Sequence, residues 1–220
     1  MTHGKDLRTK LWSFRVDPDT NALQVFAQAT LQHADTPLRH VCIEEEKGLL
    51  VGASADEVAL WQLPQLELLV TVSRLSTGGG RVSALACHGA GIMVIGFSTG
   101  RIAVWSITDG LVRKTAEVVG HAGAVSAITI ADDGFSCFTS GADSVVCERA
   151  LPTGQLVGSY TVNAKGFRKF GRTMPVAHPR ALHLVDLTLH TVNKRLLLVC
   201  AGTCVGGGGK CVCVCVCVCV

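Results

Sequence analysis

The chain has 220 residues, 48% of them apolar and only 17% charged, with a formal net charge of +3. That balance excludes a disordered chain or one coated in nucleic-acid-binding charge, and it leaves enough material for one sizeable core. No run reaches the ~18–20 apolar residues of a membrane span, and MTHGKDLRTKLWSF at the start lacks a signal-like apolar stretch, so a soluble protein of the cytoplasm or nucleus is expected.

In chain order, KLWSF, the turn RVDPDTN and the run after it predict two strands over residues 9–32. LRHVCI (Leu38–Ile43) opens a unit at 36–73 that also holds VGASADEVALWQL. The next unit, at 80–119, is the clearest: RVSALAC, GIMVIGF, RIAVWSI and LVRKTAEVV, separated by HGAG, STG and TDG. VSAITI opens a third unit at 122–163, which contains TSGADSVVCERAL. HLVDLTL and RLLLVCAG begin another within 180–203. These runs are too short and too rich in β-branched residues for helices, so an all-β chain is predicted.

The units recur. Trp61 and Trp105 are 44 residues apart, and a further 44 leads to Arg149 in a segment with the same turn-then-strand layout. Leu38, Val82 and Val125 start strands 44 and then 43 residues apart. Trp12 lies 49 before Trp61, and RVDPDTN accounts for the extra length. Four short strands repeating every ~40–45 residues is the pattern of propeller blades.

On these residues the chain resembles the WD40 family. Trp61 and Trp105 stand at the third-strand position, Gly120-His121 precedes the third unit, and TDG and PTG fill blade-terminal turns. The resemblance implies a structural hydrogen-bonded set of His, Ser or Thr, Asp and Trp in each blade. His33, Ser54, Asp56 and Trp61 match it, with Gln32 in place of the usual Gly. His121, Ser140 and Asp143 match, with Arg149 in the Trp place. The second full unit keeps Ser98 and Trp105 but has TGGGR where Gly-His belongs, and Trp12 marks the earliest copy. The expectation is a partial WD40-type β-propeller over residues 1–203: about three full four-stranded blades and a half-blade at each end. GFSTGRIAVWS, GHAGAVS and SVVCERALPTG are also similar to early blades of nucleolar WD-repeat subunits of the small-subunit processome.

Propellers close with about 4–8 blades, so this count predicts an unfinished ring. GGGGKCVCVCVCVCV then ends the chain. Cysteine and valine can be encoded TGT and GTG, so a TG dinucleotide repeat reads as this alternation in every frame of that strand. A reading frame passing through such a repeat is the expected origin, and residues 204–220 are expected to be a tail without regular structure. A rival reading is a metal-binding cysteine tail. Alternation spaces the sulfurs ~6.6–7 Å apart on one strand face, too far for tetrahedral zinc without a bend. The other six cysteines (Cys42, Cys87, Cys137, Cys147, Cys200 and Cys204) sit among apolar residues and read as reduced thiols rather than a disulfide framework.

Other constellations carry no chemistry. VGGGGKC departs twice from the phosphate-loop pattern, with Cys204 in the first Gly place and Cys211 after Lys210. STGGGR reads as a flexible loop, and EEEK (Glu44–Lys47) as a solvated turn. The histidines lack metal spacing, and no nucleophile elbow occurs. Neither catalysis, a cofactor, a metal nor a small-molecule substrate is expected.

The 160–180 segment remains. From Arg149 through Val185 there are six Lys or Arg residues and no Asp or Glu. Lys165, Phe167, Arg168, Lys169, Phe170, Arg172 and Arg180 interleave cations with aromatics, which suits contact with an acidic protein or with RNA. The sequence thus predicts a non-catalytic scaffold for protein partners in a multiprotein assembly. Its alternative is a ribosome-biogenesis subunit contacting RNA or a ribonucleoprotein through this segment.

Overall fold

The computed structural model describes residues 2–3, 8–32, 38–44, 46–73, 75, 77–108, 110–163, 166–169, 172–174, 182–190, 195–206 and 209–219. Among these residues the regular structure is entirely strand. Five antiparallel sheets follow one another. The first holds β1 (Thr2–His3), β2 (Arg8–Val16) and β3 (Leu23–Gln32). The second holds β4 (His40–Glu44), β5 (Leu49–Ala53), β6 (Glu57–Gln62) and β7 (Glu67–Ser73). The third holds β8 (Val82–His88), β9 (Ile92–Phe97), β10 (Arg101–Thr108) and β11 (Leu111–Val119). The fourth runs β12 (Val125–Ile130), β13 (Ser136–Gly141), β14 (Val145–Ala150), β15 (Leu156–Asn163), β16 (Gly166–Lys169) and β17 (Arg172–Met174). The fifth holds β18 (Leu182–His190), β19 (Arg195–Gly206) and β20 (Gly209–Cys219).

Each sheet is a meander whose strands pair in chain order, because the turns are short and glycine-rich. The opening strands β4, β8, β12 and β18 lie side by side, so the sheets radiate from a common line. A register shift recurs one position before each tryptophan or its replacement: Leu11/Trp12, Leu60/Trp61, Val104/Trp105 and Glu148/Arg149. Such a bulge sharpens the twist and re-aims the side chain that follows it.

The core lies between sheets. Trp61, Leu50 and Ala59 face back to Leu31 and Leu38. The opposite face of the same sheet, with Val51, Val58 and Leu60, packs on Met93, Ile95, Phe97 and Trp105 of the third. The third sheet's other face, with Val94, Ile102 and Val104, packs on Val125, Ile128, Cys137 and Leu151. Both faces of the inner strands are buried, which is why they read as continuous apolar runs rather than as alternations. Each fully buried Leu, Ile or Val contributes about 1.5–3 kcal/mol, so this face-to-face packing dominates cohesion.

Four features differ from the sequence expectation. The first sheet gains the short β1 beyond its two expected strands. Within the 160–180 segment, β16 and β17 pair antiparallel and widen the fourth sheet to six strands, rather than forming a plain connector. The tail pairs with β19 through β20, because a Cys-Val alternation is apolar, half β-branched and free of proline, all of which favour a strand. Cys42 and Cys87, read as reduced thiols, form a disulfide across 6.5 Å between Cα atoms. Their separation of 45 residues is close to the repeat length, which sets them on neighbouring opening strands.

Candidate functional site

The fourth sheet carries the most complete polar set. The turn between β13 and β14 holds Asp143, and the loop before β12 delivers His121. The Asp143 carboxylate accepts hydrogen bonds from the backbone N–H of Ala122 (2.9 Å) and of Val145 (3.1 Å). His121 Nδ1 lies 3.1 Å from Asp143 Oδ1, and Nε2 lies 2.9 Å from Thr139 Oγ1. Burial would raise the Asp143 pKa, but the two backbone donors and His121 outweigh it and hold the carboxyl below its ordinary value. Burial lowers the His121 pKa despite the attraction of Asp143, so the ring is neutral near pH 7. With an ionised carboxylate opposite Nδ1, that nitrogen carries the proton, and Nε2 accepts from the Thr139 hydroxyl.

A His–Asp–Thr relay has the composition of a nucleophilic triad. Here the His121 side chain is fully buried and Thr139 has no exposed surface, so no substrate can reach the hydroxyl. The relay is a structural clamp. It is anchored by Gly100, whose carbonyl accepts from the N–H groups of Gly120 and His121 (2.9 and 3.0 Å). Gly100 has φ +79°, and a Cβ there would run into the carbonyl oxygens of His121 and Gly123.

The hydroxyl in this clamp belongs to Thr139 and not to the neighbouring Ser140 expected from the sequence. Ser140 Oγ is buried and makes no hydrogen bond. Arg149, in the tryptophan place, is also buried. It donates to the carbonyls of Gly154 (3.0 Å) and Gly120 (3.3 Å), leaving Nε unpartnered. Cys137, opposite Arg149 in register, has its thiol pushed up to about 12 by burial, against the pull of that cation.

The earlier sheets hold less of the set. In the second, Ser54 is fully buried and its N–H bonds the Glu57 carbonyl (2.9 Å), whereas Asp56 is exposed. Trp61 is buried against the first sheet, and His33 lies outside the described residues. In the third, Ser98 is exposed and its Oγ accepts from the Arg81 N–H (3.0 Å), tying STGGGR to the turn before β10. Trp105 is buried with Nε1 unpartnered, in the unit that has TGGGR where Gly-His belongs. Trp12 is half-exposed at the matching place in the first sheet.

Two polar features escaped the sequence reading. Glu117, at 8% side-chain exposure, is gripped by Arg101 Nε and Lys114 Nζ, both at 2.8 Å, and accepts from the Thr77 N–H (3.1 Å). Lys114 also donates to the Leu75 carbonyl and sits 5.5 Å from the Trp105 ring centroid, so this cluster fastens the β7–β8 link to the third sheet. Glu44, expected in a solvated turn, is buried and accepts from the N–H groups of Glu46 (2.9 Å) and Lys47 (2.7 Å). Beside it, Lys47, Leu49, Leu60, Gln62 and Ile107 line an open groove of about 400 Å³ between the second and third sheets.

The described strands of the basic segment, β16 and β17, lie at the far edge of the fourth sheet. Phe167, Arg168 and Lys169 are in β16 and Arg172 is in β17, with Lys169 opposite Arg172 and Arg168 opposite both Thr161 and Thr173. Lys165, Phe170 and Arg180 lie outside the described residues. In the fifth sheet, Cys204 stands opposite Cys211 and Cys200 opposite Cys215.

Radiating antiparallel sheets, tryptophans at the third strand and a buried His–Asp–Thr clamp define a partial WD40-type β-propeller. Among solved structures the chain is similar to the crystal structure of Kluyvelomyces marxianus Hsv2, a WD40 β-propeller protein. The TM-score is 0.56 at 12% identity, over 81% of this chain and 50% of that one. The chain therefore spans about half the length of that structure. No family model matches the chain, and no curated protein does.

Proposed function

We propose that this chain is a non-catalytic docking scaffold for protein partners within a larger assembly, in the cytoplasm or nucleus. The observation that carries the reading is the β16–β17 hairpin. It prolongs the fourth sheet beyond the four strands of a blade and belongs to a stretch with six Lys or Arg residues and no carboxylate. A rigid stack of sheets with one irregular, cationic edge suits recognition of an acidic surface, since fixed charges on an ordered hairpin give up little entropy on binding. Substituting Lys165, Arg168, Lys169 and Arg172 together by Glu should abolish capture of the bound partners with unchanged circular dichroism. Undiminished capture would reject the site.

A second reading rests on the same charge pattern. Cations without intervening carboxylates also fit the phosphates of RNA, as a nucleolar ribosome-biogenesis role requires. Binding to single-stranded RNA that weakens steeply with salt, with nucleolar fluorescence of the tagged chain, would favour it. Purely cytoplasmic fluorescence would reject it.

A further inference from the structure

The Cys42–Cys87 pair plays no part in the docking edge proposed above. Cys42 lies on β4 and Cys87 on β8, so the bond joins the opening strands of the second and third sheets. Both residues are half-buried and pack against the core that these two sheets share. Cys137 and Cys147, by contrast, are buried free thiols.

The next seam along the chain shows what else can stand at these two positions. Carried forward by repeat spacings of 44 and 43 residues, Cys42 falls on Ala86 and Cys87 on Ile130. Strand register gives the same match. Cys42 pairs with Val51 as Ala86 pairs with Val94, and Cys87 pairs with Met93 as Ile130 pairs with Cys137. Ala86 and Ile130 pack into the core between the third and fourth sheets, so that seam closes at these positions without a covalent bond. A thiol is a small apolar group and packs in the same way. The bond is therefore an addition to an interface that forms without it, and breaking it leaves the fold standing.

We propose that Cys42 and Cys87 are a reversible redox site: glutathione disulfide oxidises the pair and staples the second sheet to the third, and reduced glutathione releases it. One deprotonated cysteine sulfur attacks glutathione disulfide, forming a mixed disulfide and expelling one glutathione thiolate. The other cysteine sulfur, also deprotonated, attacks the protein sulfur of that mixed disulfide and expels the second glutathione. Two electrons pass from the pair to glutathione disulfide, and the two thiol protons end on the two glutathiones. In the cytoplasm or nucleus thiols are kept reduced, so the open pair is the resting form and the bond a response to oxidation. That direction rests on the location proposed above, whereas the chemistry of the site does not. The groove lined by Leu49, Leu60 and Ile107 runs between the same two sheets, so the bond restrains its walls.

The test uses the full 220-residue chain, natively folded, in buffers running from reduced glutathione to glutathione disulfide. Free thiols are trapped with one isotope of iodoacetamide, and bonded ones are reduced and trapped with another. Mass spectrometry of the digest then reads Cys42 and Cys87 apart from the other cysteines. The two should pass from free to bonded together, as one linked pair of peptides, and return when reduced glutathione is restored. Closing a loop across a separation of 45 residues should raise the urea midpoint by roughly 1–2 M. Amide exchange should slow in β4 and β8 more than in β12 and β13. Cys42→Ala introduces the residue found at the matching position of the third sheet. It should keep the circular dichroism of the wild type and lose the oxidation-dependent shift. None of these readouts depends on where the chain resides. A pair that stays free at every glutathione ratio, or a bond that reduced glutathione leaves intact in the native chain, would overturn the proposal. So would a midpoint unmoved by oxidation, or an equal shift in Cys42→Ala.

Discussion

Removing the Asp143 carboxylate probes the clamp of the fourth sheet most directly. Asp143→Ala strips the partner from His121 Nδ1, whose ring is fully buried, and from the Ala122 and Val145 N–H groups. A buried donor left without a partner costs about 1–3 kcal/mol, and the half-buried Val145 N–H adds roughly 0.5–1.5. Ala122 is exposed, so water replaces its bond at little cost. The sum is about 2–4 kcal/mol, which at a urea slope of about 2 kcal/mol/M lowers the unfolding midpoint by about 1–2 M. Asp143→Asn keeps an acceptor oxygen and should lose about half as much. The wild type carries a matching pH dependence. Folding depresses the His121 pKa, so its stabilisation is complete above the unfolded value of 6.5 and declines as pH falls below it. The Asp143 contribution is complete above 3.8 and is lost at still lower pH, as the carboxyl titrates in the folded chain. Urea titrations followed by tryptophan fluorescence measure both. An Asp143→Ala loss under about 0.5 kcal/mol, or stability that rises from pH 7 to pH 5, would refute the clamp.

Three further outcomes follow from local geometry. Trp105→Phe removes an orphaned N–H while keeping a ring beneath Lys114, so urea stability should stay within about 1 kcal/mol of wild type. Gly100→Ala should cost more than about 2 kcal/mol, combining a left-handed backbone with a clash on two carbonyls, and lower the thermal midpoint by several degrees. Iodoacetamide at about pH 8 should spare Cys137 and Cys147 in the native chain, because both are buried with raised pKa values; mass spectrometry of the digest reads the result.

The repeat was legible because spacing survives when motifs decay: Trp12, Trp61, Trp105 and Arg149 fall at one structural position although their chemistry differs. Adjacent residues were harder to separate. Thr139 and Ser140 point to opposite faces of β13, and only register decides which one meets His121. Glu117 was hidden because its partners include Thr77, forty residues earlier, and no local pattern announces that contact. The Cys42–Cys87 pair did leave a signal in a separation near the repeat length, but reading the cysteines by their apolar neighbours passed over it. The basic stretch was found by composition, whereas its hairpin depends on pairing to β15 that composition does not encode.

The side-by-side opening strands and the sheet-to-sheet packing carry a consequence for motion. Cohesion is passed along a line, each sheet leaning on its immediate flanks, so opening free energies add up by neighbour rather than being shared by the whole. Amide protons of β5, β6, β9 and β10, enclosed on both sides, should exchange slowest, and protection should decline toward either extremity. A ligand gripping one extremity would then stiffen the adjacent sheet first and leave distant loops almost untouched.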